Sequence, residues 1–287
     1  MDTSKDLDEH TMADAWAHLQ AQADAGIPLK PNAYRLAFGD PEFLLRRETR
    51  GVRLQLELLK PDLDQSQMGI DNTIVVFGSA RFDAPEQAQR LLDEARTSGD
   101  AQAMAIAQRH MRNAGFYEQA RQFGHIVATH STALPPKERM YICTGGGPGI
   151  MEAANRGASE AGAPTLGMNI ALPHEQHANP YVTPELSFKF HYFAVRKMHF
   201  MMRAKAMVAF PGGFGTLDEL FEVITLVQTR KSQPVPIILF GEAYWKRLVN
   251  FDVLIDEGVI SPEDLQLFQY TDDPQQAWDL IRAFYKL

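Results

Sequence analysis

Short runs of consecutive apolar residues, each stopped by small residues and followed by a helix-like pattern, constrain this chain more than any other feature. Ile74-Val75-Val76-Phe77 ends in Gly78-Ser79-Ala80, Tyr141-Ile142-Cys143 in Gly145-Gly146-Gly147-Pro148-Gly149, and Met207-Val208-Ala209-Phe210 in Pro211-Gly212-Gly213-Phe214-Gly215-Thr216. Continuous apolar runs of this length suit strands covered on both faces, which is the situation in a parallel sheet flanked by helices. Further strands are expected at 165–170 and 236–240. Helices are expected at 85–128 (broken near Ser98-Gly99 and Asn113-Ala114-Gly115), 150–161, 217–229, 243–249 and 274–285. The alternation predicts an α/β fold: a Rossmann-like doubly wound parallel sheet with helices on both faces.

The regular pattern starts at Asn72. Residues 1–70 read as an N-terminal helical extension punctuated by Pro28, Pro31, Pro41 and Pro61, and 71–287 as the Rossmann-like domain, with a helical insertion at about 84–113. At 287 residues, 45% hydrophobic and 22% charged, the chain can bury one large core. Its net charge of −8 argues against a nucleic-acid partner, which needs clustered cations to displace counterions. It leaves room for a small nucleotide. The single cysteine, Cys143, allows neither an internal disulfide nor a multi-cysteine metal site, and fits a reducing compartment. The polar start, and the lack of any apolar run near about 20 residues, predict a cytoplasmic protein without a membrane span.

Glycine-rich loops between strand and helix let backbone N–H groups approach an anion, with the helix N-terminus adding partial positive charge. Two such loops after separate strands predict a phosphate site, although each alone is equally a tight βα turn. A dinucleotide fits less well, because the position twenty past Gly149 is Asn169 rather than an acid, and no G-x-x-x-x-G-K-[ST] segment occurs. Glu219 and Glu222 follow the third loop on the non-apolar side of a helix, where they either complement the helix dipole or face a ligand. Arg196, His199 and Arg203 share a helix face that is either solvated or turned toward the same loop. His174, Glu175 and His177 lack a third ligand at a telling interval, so no metal is expected. No Ser-His-Asp or Cys-His arrangement can be inferred.

Pro211-Gly212-Gly213-Phe214-Gly215-Thr216-Leu217-Asp218-Glu219 resembles the P-G-G-x-G-T-x-x-E motif of the LOG (Lonely Guy) family, often labelled lysine decarboxylases. Arg196-Lys197 resembles that family's Arg-Lys pair, and Gly145-Gly146-Gly147-Pro148-Gly149-Ile150-Met151 its companion G-G-G-x-x-G-[LI]-M motif. The likeness spans roughly residues 72–244. It implies hydrolysis of the N-glycosidic bond of a purine or cytokinin nucleoside 5′-monophosphate, AMP among them, without a cofactor. By the same likeness Arg196 and Glu219 are the catalytic pair. Gly212, Gly213, Gly215 and Thr216 hold the phosphate, with Gly78, Ser79, Gly146, Gly147, Glu175, Lys197, Phe214 and Thr225 as further substrate contacts. A homodimer or higher homo-oligomer is implied as well. The N-terminal segment and the insertion depart from the short plant-type members and resemble the longer bacterial branch, as does Asp218 where many members carry Glu. A nucleotide-sensing module without catalysis, and a pyridoxal-phosphate enzyme, are the rival expectations.

Overall fold

The three apolar runs become neighbouring strands at the centre of one parallel sheet. The computed structural model describes residues 35–171 and 178–287, with Ala17, Ala21, Asp24 and Ala25. It places β1 (Asn72–Phe77), β2 (Met140–Thr144), β3 (Leu166–Ile170), β4 (Ser187–Phe190), β5 (Ala204–Ala209), β6 (Ile237–Phe240) and β7 (Gln269–Thr271) in the order β4-β3-β2-β1-β5-β6-β7. Every paired neighbour is parallel. The chain builds outward from β1 to β4 and then returns to lay β5 against the other side of β1. The sheet is therefore doubly wound, with its switch point between β1 and β5. All residues of β1 and β6 are buried, as strands covered on both faces require.

The helices are α1 (Arg50–Gln67), α2 (Pro85–Ser98), α3 (Ala101–Thr132), α4 (Ile150–Glu160), α5 (Phe193–Met202), α6 (Phe214–Gln228), α7 (Glu242–Leu248), α8 (Phe251–Asp256) and α9 (Pro274–Tyr285). By contacts the chain divides into two compact units, Met1–Leu56 and Glu57–Leu287. Within the first, Asp40 caps the helical turn Pro41–Leu44 by accepting from the Phe43 amide at 3.2 Å. Within the second, α3 supplies Tyr117, Ala120, Phe123 and Val127 to a core completed by β1, β2, β5, β6, α4 and α9. The α3 and α4 backbones touch: a Cβ on Gly157 would stand 1.8 Å from the Arg121 carbonyl oxygen. Only glycine permits that approach.

Two expected breaks are absent. α3 passes through Asn113-Ala114-Gly115 without interruption, because Ala114 and Tyr117 are buried in the core and tertiary packing outweighs a weak local propensity. The break at Ser98-Gly99 is real, with Gly99 left-handed between α2 and α3. Pro61, expected as punctuation, lies inside α1. Proline has no N–H, so the carbonyl of residue 57, four positions earlier, loses its helical donor. His199 Nε2 sits 3.2 Å from that Glu57 oxygen and so must carry the proton and donate. The buried imidazole is held neutral, its pKa lowered by burial against the opposing pull of that carbonyl.

This arrangement is testable by a double-mutant cycle. His199→Leu leaves the Glu57 carbonyl unpaired and should cost about 1–3 kcal/mol in urea unfolding. In a Pro61→Ala background, where the helix regains its own donor, the same substitution should cost clearly less. Equal losses in both backgrounds would refute the compensation.

Candidate active site

The carboxyl ends of β1 and β5 lie side by side, Phe77 opposite Ala209, and the loops that leave them are stitched together. Phe210 N–H donates to the Phe77 carbonyl at 2.8 Å, Ser79 N–H to Pro211 at 2.9 Å, and Ile150 N–H to Ser79 at 3.1 Å. Three glycine-bearing segments, separate in sequence, thus meet at the switch point. A cavity of about 730 Å³ opens there. Gly78, Ser79, Gly212, Gly213, Gly215 and Thr216 line one part of it, and Arg196 and Glu219 another. The volume lies within the range usual for small-molecule sites.

Gly213 is the N-cap of α6, so Phe214, Gly215 and Thr216 form its first turn. The first four N–H groups of a helix have no intrahelical acceptor, and the helix dipole favours an anion beside them. The Tyr244 hydroxyl, from α7, donates to the Gly212 carbonyl at 2.6 Å and fixes the loop ahead of that turn. Phe214 stands at the rim, 91% exposed. The helix begins three residues earlier than the expected Leu217, which moves Glu219 into its second turn and buries it to 6% exposure.

Arg196 projects from α5 toward the same space. Its Nε donates to the Met168 carbonyl at 2.7 Å, its guanidinium lies 5.1 Å from the Phe200 ring centroid, and its Nη1 is 4.0 Å from Glu219 Oε1. A Cβ on Gly145 would fall 2.6 Å from Arg196 Nη2, so the glycine at the end of β2 makes room for the arginine. Burial pushes the Glu219 carboxyl up to about 7, with Arg196 and then Lys197 pulling it back. Burial likewise lowers the Arg196 pKa, against the pull of Glu219. A carboxyl that titrates near neutrality beside a fixed cation is suited to proton transfer or to stabilising a developing positive charge. Cys143, also buried, has its thiol pushed up to about 12 and offers no nucleophile.

The remaining expected residues are distributed differently. Lys197 Nζ pairs with Asp218 and Glu222, each at 2.8 Å, in a shallow neighbouring cleft that also holds Thr225. The Thr225 hydroxyl donates to the Phe221 carbonyl at 2.7 Å. Gly146 and Gly147 lie beside the cavity in a loop held by Asn179: its N–H donates to the Gly146 carbonyl and its Nδ2 to that of Gly147. Glu175 is outside the described residues. His199 and Arg203, read as a possible cationic face with Arg196, turn instead to α1, Arg203 Nη2 donating to the Asp62 carbonyl at 3.1 Å. Among the described residues no group of three His, Cys, Asp or Glu is placed to hold a metal. Sequence reasoning missed Arg81, Phe82, Arg109, Asn113, Phe116, Phe193 and Tyr244 in the cavity wall. No motif marked them, since most come from the insertion and its flanks or from a helix two elements downstream.

Fold and cavity together define a class: a doubly wound α/β protein with a glycine-lined cavity at the switch point, walled by a buried acid and a buried arginine. Residues 151–281 match the family described as possible lysine decarboxylase. The matched span contains Arg196, Lys197 and the whole of the 211–219 motif. The chain is 43% identical over 68 residues to a cytokinin riboside 5′-monophosphate phosphoribohydrolase, LOG7, of Arabidopsis thaliana, covering 23% of this chain and 31% of that one. It is 32% identical over 121 residues to the probable enzyme LOGL5 of Oryza sativa subsp. japonica (41% and 48%), and 27% over 154 residues to LOG5 of Arabidopsis thaliana (51% and 64%). The matches therefore span less than two thirds of each of these relatives. Among solved structures it is similar to the Moco carrier protein from Chlamydomonas reinhardtii, at 20% identity, 76% of this chain, 99% of that chain and a TM-score of 0.44.

The raised Glu219 pKa has a consequence for stability. A carboxyl whose folded pKa exceeds its unfolded value favours folding while protonated; that contribution is complete below about 4.5 and is lost as pH rises through about 7. Glutamine mimics the protonated form at every pH. The melting temperature of Glu219→Gln should therefore gain on wild type by a few degrees between pH 5 and pH 8, read by calorimetry. A difference that stays constant across that window would contradict the burial argument.

Proposed function

We propose that this chain hydrolyses the N-glycosidic bond of a purine or cytokinin nucleoside 5′-monophosphate, water and nucleotide giving free base and ribose 5-phosphate. The observation that carries the reading is Glu219, a buried carboxyl one turn into the helix whose first amides make the anion site, within the same cavity. The phosphate sits against the N–H groups of Gly213 to Thr216, and this remote anchor aligns the sugar for reaction. Cleavage of the C–N bond places positive charge on the ribose, as in other glycoside hydrolyses. The Glu219 carboxylate stabilises that charge and orients the attacking water, while Arg196 steadies the departing base. The names of the matched relatives, phosphoribohydrolases of this substrate class, support the same chemistry.

A pyridoxal-phosphate reaction does not fit the residues present. Such chemistry needs a lysine for the Schiff base. The described cavity wall holds arginines but no lysine, and Lys197 in the adjoining cleft is held by two carboxylates. The reading includes a homodimer or higher homo-oligomer. Phe193, Met198, Met202, Phe214 and Phe221 expose apolar surface on α5 and α6, with Phe193 and Phe214 at the cavity, so a second copy covering this face would also wall the site. A cytoplasmic location completes it; no helix among the described residues is long and apolar enough to cross a membrane.

Glu219→Gln should lower kcat for AMP by about 10²–10⁴-fold while AMP binding, measured by calorimetry, changes only a few-fold. For the wild type, the carboxylate form increases as pH rises, so kcat/KM should climb to a plateau above about 7. Wild-type turnover by the variant removes Glu219 from the chemistry. Tight nucleotide binding by the wild type with no base released over hours leaves a nucleotide-sensing module instead.

A further inference from the structure

The insertion forms a wall of the cavity, and the residues it presents there have the chemistry of base recognition. Arg109, Asn113 and Phe116 of α3 all line the cavity. Spaced i, i+4 and i+7, they share one face of the helix, next to the stripe that packs Ala114 and Tyr117 into the core. Among the described residues neither the Arg109 nor the Asn113 side chain has a hydrogen bond or ion pair, so their donors remain available. Phe116 is half-buried against Gly241 and stacks with Phe82, ring centroids 6.1 Å apart and planes 25° apart. His110, on the same helix, pairs through Nδ1 with Asp83 in the segment after β1, which pins this part of α3 to the loop that borders the cavity.

We propose that α3 is the base-reading element, and that Arg109 selects 6-oxopurine nucleotides, guanine or hypoxanthine, over adenine. This rests on the nucleotide reading of the cavity. A guanidinium is a donor-only fork; it matches the paired O6 and N7 acceptors of a 6-oxopurine, whereas adenine offers N7 beside an N6 donor. The Phe116 ring supplies a face for stacking, which is indifferent to the identity of the base. The Asn113 amide both donates and accepts, so it contributes hydrogen bonds without deciding between the two purines. Discrimination falls to the arginine.

The test is calorimetric binding of GMP and AMP to the full chain, wild type and Arg109→Ala. Arg109 is exposed, so the substitution leaves the core untouched. The wild type should bind GMP more tightly than AMP, and the ratio of the two dissociation constants should fall by about tenfold or more in the variant. A wild-type ratio near one overturns the proposal, as does an equal weakening of both nucleotides, which would place Arg109 on the phosphate instead. Released base measured in the same wild-type samples reports separately on catalysis. Selective binding without cleavage keeps the base-reading assignment and removes the hydrolase.

Discussion

The close contact between the carboxyl ends of β1 and β5 is the constraint on which the site depends. It lets the Ser79 amide bond Pro211 and the Ile150 amide bond Ser79, bringing three glycine segments into one cradle. Parallel strands running in the same direction bring their loops to a single edge, and reversal of the winding order opens a crevice between them. With the crevice fixed, the first turn of α6 presents its amides inward, and the second turn carries Glu219 beneath them. The acid is buried as a consequence of that packing, and its raised pKa follows from burial against the partial compensation of an arginine 4.0 Å away. Fold, electrostatics and chemistry are thus linked by one piece of backbone geometry.

Arg196 reaches this acid only because α5 is held at both ends. The Glu57 carboxylate accepts from the His191 and Tyr192 amides, at 2.9 and 3.1 Å, just ahead of the first turn of α5. At the other end Arg203 bonds Asp62, Ser66 and the Ile70 carbonyl. Between them His199 bonds the Glu57 carbonyl that Pro61 leaves without a helical donor. The portion of α1 from Glu57 onward therefore acts as a splint along the arginine-bearing helix. A segment that reads as a bland brace in sequence bears directly on where the guanidinium sits.

The central strands were legible because burial on both faces leaves an unbroken apolar signature in β1, β2 and β5, and glycine marks their ends. Edge strands carry a weaker signal: Ser187-Phe188-Lys189-Phe190 alternates, with Phe188 and Phe190 buried and Lys189 exposed, and β7 is only three residues long. The Glu219–Arg196 pairing was legible through resemblance alone, since nothing in local spacing says that a helix ending at Met202 will face one starting at Phe214. Lys197 shows the converse. A cation adjacent to Arg196 in sequence points about 100° away on a helix, and here it meets Asp218 and Glu222 rather than the cavity. The cavity wall contributed by Arg109, Asn113 and Phe116 had no signature, because a pocket-facing sector of a long helix looks like an ordinary solvated one until its neighbours are known.

A chain of net charge −8 with a helix N-terminus open to a cavity illustrates why global charge and local potential are separate quantities. The donors at Gly213 to Thr216 are backbone amides, which are fixed by the helix and need no compensating carboxylates. The cations at the cavity, Arg81, Arg109 and Arg196, occupy different walls, so they act on different parts of whatever lies between them. Arg196 is buried and held by the Met168 carbonyl, whereas Arg81 and Arg109 are exposed at positions supplied by the loop after β1 and by α3. The buried arginine is therefore held in one geometry, while the exposed pair can vary without disturbing the core. That division would let an insertion change one wall of the cavity while leaving intact the amides, the acid and the arginine on the others.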